Sequence, residues 1–259
     1  MNKIIAIASG KGGTGKTFIT CNLGVLLSMC QFRVLIVDAD VNLANVELVY
    51  GFKPKCTLQD YLDGTCTVQD LVQNVLGSVY VVSAGLNLKR RIRPREFDSA
   101  IGNIVSTMDF DYVLIDAPAG LDAQVVTSIR MSDGYLLVAN PEVTSIVDAH
   151  KVKKVVGDTN LLGVVLNKVR KTSIDKRDIE EALGEIIASL PEDPNVPLSI
   201  NSGIPYVVKH PKSIITKQLM KLTSRITGRE VVIDSKPKFW FFRRKTEKEL
   251  TDSSSGVVK

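Results

Sequence analysis

The run Gly10-Lys11-Gly12-Gly13-Thr14-Gly15-Lys16-Thr17 constrains this chain more than any other, because it fits the pattern G-x-x-x-x-G-K-[ST]. Glycines let successive backbone N–H groups turn inward around an anion, which residues carrying a Cβ would obstruct. Such a loop needs a strand before it and a helix after it, and both are legible. Ile4-Ile5-Ala6-Ile7-Ala8 reads as a buried strand, and 17–29 as a helix whose positive end faces the phosphates. In that setting Lys16 is expected to reach the β- and γ-phosphates of a nucleotide, and the Thr17 hydroxyl to hold Mg²⁺. The expected phosphate-binding set is Gly10, Lys11, Gly12, Gly13, Thr14, Gly15, Lys16, Thr17 and Phe18.

Further apolar runs at 34–37, 79–82, 112–115, 136–139 and 162–166 predict strands. Their apolarity is continuous rather than alternating, as in strands covered on both faces. Helical patterns fall between them, at 57–62, 95–107, 124–132, 144–156, 176–183 and 212–226. The alternation predicts an α/β fold, a three-layer sandwich with a mostly parallel sheet covered by helices on both faces. After Gly228 the composition changes, so a nucleotide-binding domain over 1–228 and a tail over 229–259 are expected.

With 44% hydrophobic residues in 259, the chain can bury a substantial core. No signal-peptide pattern and no apolar run of about 18 residues occurs, which predicts a cytoplasmic protein without a membrane span. Cys21, Cys30, Cys56 and Cys66 form no C-x-x-C pair, so incidental thiols are expected rather than a metal site or disulfides. A net charge of +5 suits an anionic membrane or nucleic acid and is diagnostic of neither.

Ligands of open parallel sheets sit at the carboxyl ends of strands. Two acidic endings occur there, Val37-Asp38-Ala39-Asp40 and Leu114-Ile115-Asp116. A carboxylate so placed can hold Mg²⁺ or its waters, or position an attacking water; it is equally suited to capping the next helix. No Ser/His/Asp catalytic set is apparent, and His150 and His210 are isolated. Asn167-Lys168-Val169-Arg170 begins like the guanine reader N-K-x-D, but Arg170 offers only donors where guanine needs an acceptor. GTP specificity is therefore unsupported.

Lys11, early in the loop, is not needed to build the cradle. The run Lys11 to Thr17 resembles the deviant phosphate loop of the MinD/ParA family of ATPases. Asp38-Ala39-Asp40-Val41-Asn42-Leu43-Ala44-Asn45 looks like the family's first switch, and Asp116-Ala117-Pro118-Ala119-Gly120-Leu121 like its second. Asn140-Pro141-Glu142-Val143-Thr144-Ser145 and Asp148 resemble another family segment, and the match runs in order over roughly 3–218.

The resemblance implies catalytic roles for Lys11, Lys16 and Asp40. Lys11 would cross a homodimer interface to the phosphates of the other subunit, and Asp40 would orient the hydrolytic water. Thr17 and Asp38 would serve the metal, with Asp116 one shell further out. Asn167 and the segment with Pro191, Glu192 and Asp193 would complete an adenine pocket, making ATP and Mg²⁺ the ligands. It also implies slow turnover, stimulated by a regulatory protein docking on the switches. Phe18 departs from the second Thr usual in relatives. The paired cysteines of iron–sulfur carrier relatives are missing.

Lys236-Pro237-Lys238-Phe239-Trp240-Phe241-Phe242-Arg243-Arg244-Lys245 combines aromatic residues, which favour membrane interfaces, with basic ones worth about 1 kcal/mol each at an anionic surface. Phe239, Trp240, Phe241, Phe242, Arg243, Arg244 and Lys245 are the candidate membrane residues, matching the place of a membrane-targeting helix in MinD relatives. Packing on the body, self-association and nucleic-acid contact are the alternatives. The run Lys89-Arg90-Arg91-Ile92-Arg93-Pro94-Arg95 is a solvated loop, a partner site, or a DNA-binding surface as in ParA-type segregation ATPases. The expected function is a dimeric ATP switch that attaches reversibly to the inner face of the cell membrane during division or positioning. The alternatives are a ParA-like ATPase on nonspecific DNA and a nucleotide-binding scaffold with little hydrolysis.

Overall fold

The computed structural model describes residues 2–40, 45–85, 92–157, 160–170 and 174–231. Strands β1 (Lys3–Ser9), β2 (Val34–Asp38), β3 (Gln73–Leu76), β4 (Val79–Val82), β5 (Tyr112–Ala119), β6 (Gly134–Ala139), β7 (Leu161–Val169) and β8 (Ile186–Pro191) form one sheet. Its order is β3-β4-β2-β5-β1-β6-β7-β8, and among these pairs only β3 runs antiparallel to its neighbour, β4. The helices are α1 (Lys16–Met29), α2 (Val46–Tyr50), α3 (Leu58–Leu62), α4 (Val68–Leu71), α5 (Pro94–Thr107), α6 (Ala123–Arg130), α7 (Val143–Val156), α8 (Lys176–Leu183), α9 (Asn195–Asn201), α10 (Tyr206–Lys209) and α11 (Ile214–Thr227).

Side chains alternate along each strand, yet both faces are covered. Ala6, Leu35, Val37, Val113, Ile115 and Leu137 pack with Phe97 and Ile101 of α5, Val125 of α6, Ala149 of α7 and Ile179 of α8. Ile5, Ile7, Ile36, Leu114, Leu136 and Val165 pack with Ile19, Leu23 and Leu26 of α1 and Leu219 and Leu222 of α11. Helix α1 is apolar nearly all round because the sheet lies on one side and α11 on another. The three-layer α/β expectation holds.

The register then fixes where a ligand can sit. β1 lies between β5 and β6, Ile7 pairs with Asp116, and Asp38 pairs with Asp116 across β2 and β5. The loop after β1 and both acidic strand endings therefore share one end of the sheet. At the opposite end, the Lys3 ammonium donates to the Ile226 carbonyl at 3.2 Å. There too Arg229 lies over the Phe32 ring, 5.2 Å from its centroid, and the Val231 N–H donates to Ser224 Oγ at 3.0 Å. The described chain thus ends far from the phosphate loop.

One expectation is corrected. Cys56 and Cys66 form a disulfide, their Cα atoms 6.6 Å apart, while Cys21 and Cys30 are free thiols. Thr57 caps α3 in a box with Asp60, and the chain folds back around that short helix to bring together cysteines ten residues apart. Cysteine spacing alone carries no trace of this fold-back.

Candidate functional site

The loop from Gly10 to Gly15 is shaped by what presses on it. A Cβ on Gly10 would lie 2.1 Å from the Asp148 carbonyl carbon of α7, so only glycine fits. Gly15 caps α1 at φ 97°, and a Cβ there would meet Asn167 Nδ2 at 2.2 Å. Asn167 in turn donates to the Thr14 carbonyl at 2.7 Å, and the Lys168 ammonium donates to the Gly13 carbonyl at 2.8 Å. The end of β7 therefore clasps the loop. Lys168 has a left-handed backbone (φ 54°), an uncommon conformation for a residue with a side chain.

Lys16 and Thr17 open α1, whose first N–H groups have no partner within the helix. The Lys16 ammonium donates to Ser9 Oγ at 2.9 Å, and Ser9 donates to the Lys11 carbonyl at 2.8 Å. Burial pushes Lys16 below its ordinary pKa, opposed by Asp116, Asp40 and Asp38. The Phe18 ring turns into the core, edge-on to Tyr206 at 5.7 Å, so its N–H is what that position can offer an anion. The hydroxyl of Thr14 is buried without a hydrogen-bond partner.

Beneath Lys16 lie two buried carboxylates. Asp116 accepts from the Thr17 hydroxyl at 2.5 Å and from the Thr20 hydroxyl at 3.2 Å. Asp38 accepts the N–H groups of Asp40 and Asn45, each at 3.0 Å, and of Val46 at 3.3 Å. It thus caps α2 while facing the site, so the capping alternative is realised in it. Residues 41–44 of the first switch-like run lie outside the described residues. Burial, then the neighbouring Asp116, raises Asp38 well above the usual carboxylate range. Burial raises Asp116 to about 6, opposed by Thr17, Lys16 and Thr20.

These features fit a nucleotide with Mg²⁺. An orphaned hydroxyl and helix N–H groups surround the cradle, and two crowded carboxylates gain from a nearby cation. Among the described residues no cluster of three or more His, Cys, Asp or Glu forms a metal cage. Mg²⁺ characteristically uses one or two protein oxygens plus phosphates and water instead.

A stability measurement checks the acidic pair. A carboxyl raised in the folded state stabilises below its unfolded pKa, and that contribution fades as pH rises through the folded value. For Asp116 the window runs from 3.8 to about 6. Nucleotide-free Asp116→Asn is therefore expected to exceed the unmutated protein in stability by roughly 2–3 kcal/mol at pH 8, the gap closing near pH 4. Urea unfolding at the two pH values reads this, and a pH-independent gap would refute it.

Lys11 stands at the rim, bonded to Glu142 Oε2 at 2.8 Å and Thr144 Oγ1 at 3.3 Å. Exposed Leu121, Val143 and Val147 belong to the second switch-like run and to α7, the helix that Glu142 precedes. In the segments expected to meet the base, Arg170 of the N-K-x-R run forms an ion pair with Glu192. Asp193 turns inward to Tyr206 and Asn195. Ser9, Thr20 and Tyr206 had no motif to mark them. Lys89, Arg90 and Arg91 of the basic run, and the aromatic–basic segment 236–245, lie outside the described residues.

A sequence model of the CobQ/CobB/MinD/ParA nucleotide binding domain matches residues 5–206. An uncharacterized ATP-binding protein of Methanocaldococcus jannaschii is 35% identical over 232 residues, 86% of this chain and 87% of that protein. The structure of the Pyrococcus furiosus cell division ATPase MinD superposes with a TM-score of 0.79 at 36% identity, covering 88% of this chain and 99% of that one. The septum site-determining protein MinD of Pyrococcus horikoshii, complexed with Mg-ADP, superposes with a TM-score of 0.79 at 31% identity, covering 87% and 96%.

Proposed function

Since this chain belongs to the CobQ/CobB/MinD/ParA nucleotide-binding family, we propose that it is a MinD-type ATPase whose ATP state is a membrane-attached homodimer. One observation carries the reading: a lysine buried at the base of the phosphate loop, and a second at its rim held only by the exposed Glu142 and Thr144.

The loop N–H groups and Lys16 bind the triphosphate, with Lys16 leaving Ser9 for a phosphate oxygen. Mg²⁺, when bound, neutralises charge on the β- and γ-phosphates. Thr17 and Asp38 would hold it, and Asp116 fixes the Thr17 hydroxyl through their 2.5 Å bond. Asp40 orients the attacking water. Lys11 leaves Glu142 for the γ-phosphate held by a second copy, where the exposed apolar side chains of Leu121, Val143 and Val147 gain cover. Catalysis is then positioning plus charge stabilisation, accelerated when a regulatory protein docks on the switches. Asn167, Pro191 and Glu192 frame the adenine.

Attachment to membrane rests on Lys236, Lys238, Arg243, Arg244 and Lys245 beside the four aromatic residues. Among the described residues no helix is long and apolar enough to cross a membrane. One such tail binds marginally, and two presented by a dimer gain about 10²–10⁴ through effective concentration. Co-sedimentation with anionic vesicles is therefore expected with ATP and not with ADP. Deleting 236–248 should abolish pelleting and leave nucleotide binding intact. ATP-dependent retention on duplex DNA without vesicle pelleting would favour the ParA-like role instead.

A further inference from the structure

The segment after β8 is engaged with the protein rather than with solvent. Asp193 Oδ2 accepts the Tyr206 phenol at 2.6 Å, and Oδ1 accepts both the N–H and the side-chain amide of Asn195, each at 2.8 Å. The carboxylate that reads from sequence as a base contact is thus occupied internally. Tyr206 is 1% exposed, and its ring meets Phe18 edge-on at 5.7 Å and His210 at 4.7 Å. Next to it, the Val207 N–H donates to Asn22 Oδ1 at 2.9 Å, while Asn22 Nδ2 donates to the Phe18 carbonyl at 2.7 Å. Phe18 and Asn22 lie on α1, the helix that starts in the phosphate loop. A continuous set of contacts therefore runs from that helix through Tyr206 to the base segment.

We infer that Tyr206 is a positioning residue for nucleotide specificity: through Asp193 it fixes the 191–195 segment against the phosphate-loop helix, and so governs how tightly the base end of the ligand is held. Phe18 is the surface on which the Tyr206 ring rests. A phenol bonded to a carboxylate is a strong hydrogen bond, and removing the hydroxyl releases Asp193 from the buried ring that anchors it. The pair keeps one protonation form at neutral pH. Burial and then the Asp193 bond push the phenol up to about 12, and the same bond holds Asp193 below the usual carboxylate range. The phosphate end lies on other residues, so the two ends can be separated by experiment. The inference rests on the adenine-pocket reading above.

The test is calorimetric titration with Mg·ADP, Mg·GDP and Mg·pyrophosphate, ligands that cannot turn over. The unmutated protein is expected to bind ADP more tightly than GDP or pyrophosphate. Tyr206→Phe keeps the ring on Phe18 and removes only the hydroxyl. It should weaken ADP about tenfold, narrow the ADP-to-GDP ratio, and leave pyrophosphate within about twofold. Asp193→Ala removes the same bond from its surface end and should reproduce this split, which keeps the test decisive if Tyr206→Phe folds poorly. Unchanged ADP affinity in both variants, or equal loss of ADP and pyrophosphate, would overturn the inference. An unmutated protein that binds ADP no tighter than pyrophosphate would instead overturn the pocket reading itself, and the inference with it.

Discussion

Lys16→Met is expected to lower ATP turnover by about 10²–10³-fold, because it removes a fixed positive charge from where phosphoryl transfer develops negative charge. The ammonium is held at the base of the loop, 8% exposed and bonded to Ser9. Methionine matches the length of the aliphatic stem and limits the packing loss, so any effect reports the charge. Three buried or half-buried carboxylates, Asp38, Asp40 and Asp116, lie near enough to favour the charged lysine. The variant therefore gathers negative charge at the site and should also bind ADP more weakly. Phosphate release at saturating ATP reads the first effect, and turnover within threefold of the unmutated protein would remove Lys16 from its assigned role.

The second large effect is on assembly. Lys11→Ala is expected to weaken the ATP-dependent dimer by at least about thirtyfold, as truncating one partner of a desolvated charge pair does. In the isolated chain the Lys11 ammonium sits on Glu142 and Thr144, with side chains 31% and 58% exposed for the lysine and the glutamate. An ion pair so exposed contributes little to stability and is readily exchanged for a phosphate oxygen. The melting temperature and ADP affinity should accordingly stay close to those of the unmutated protein, while the dimer is lost. Sedimentation velocity with a non-hydrolysable ATP analogue separates these effects. A dimer of unchanged affinity would place Lys11 outside the interface.

What could be read from sequence follows from how local the physics is. The phosphate loop was legible because its glycines answer to backbone demands within a few residues, and Gly15 at φ 97° meets such a demand. Asp38 and Asp116 were legible because strand ends in a parallel sheet converge, which the register places side by side. Lys11 with Glu142, 131 residues apart, and Asn167 with Thr14, 153 apart, join only once the sheet has formed. Ser9 and Tyr206 owe their places to such contacts and carry no motif. β3 was missed because Gln73 and Asn74 face the polar edge of the sheet, and β8 because Ser189 interrupts its apolar run. α2, α4, α9 and α10 span too few turns to show a helical period.

In this reading ATP joins two copies of the chain face to face. Light scattering after size exclusion reads the mass of the full chain saturated with Mg²⁺ and a non-hydrolysable ATP analogue. A mass near twice 28.3 kDa with the analogue, falling to a single copy with ADP, is the predicted result. A single-copy mass under both conditions would contradict it.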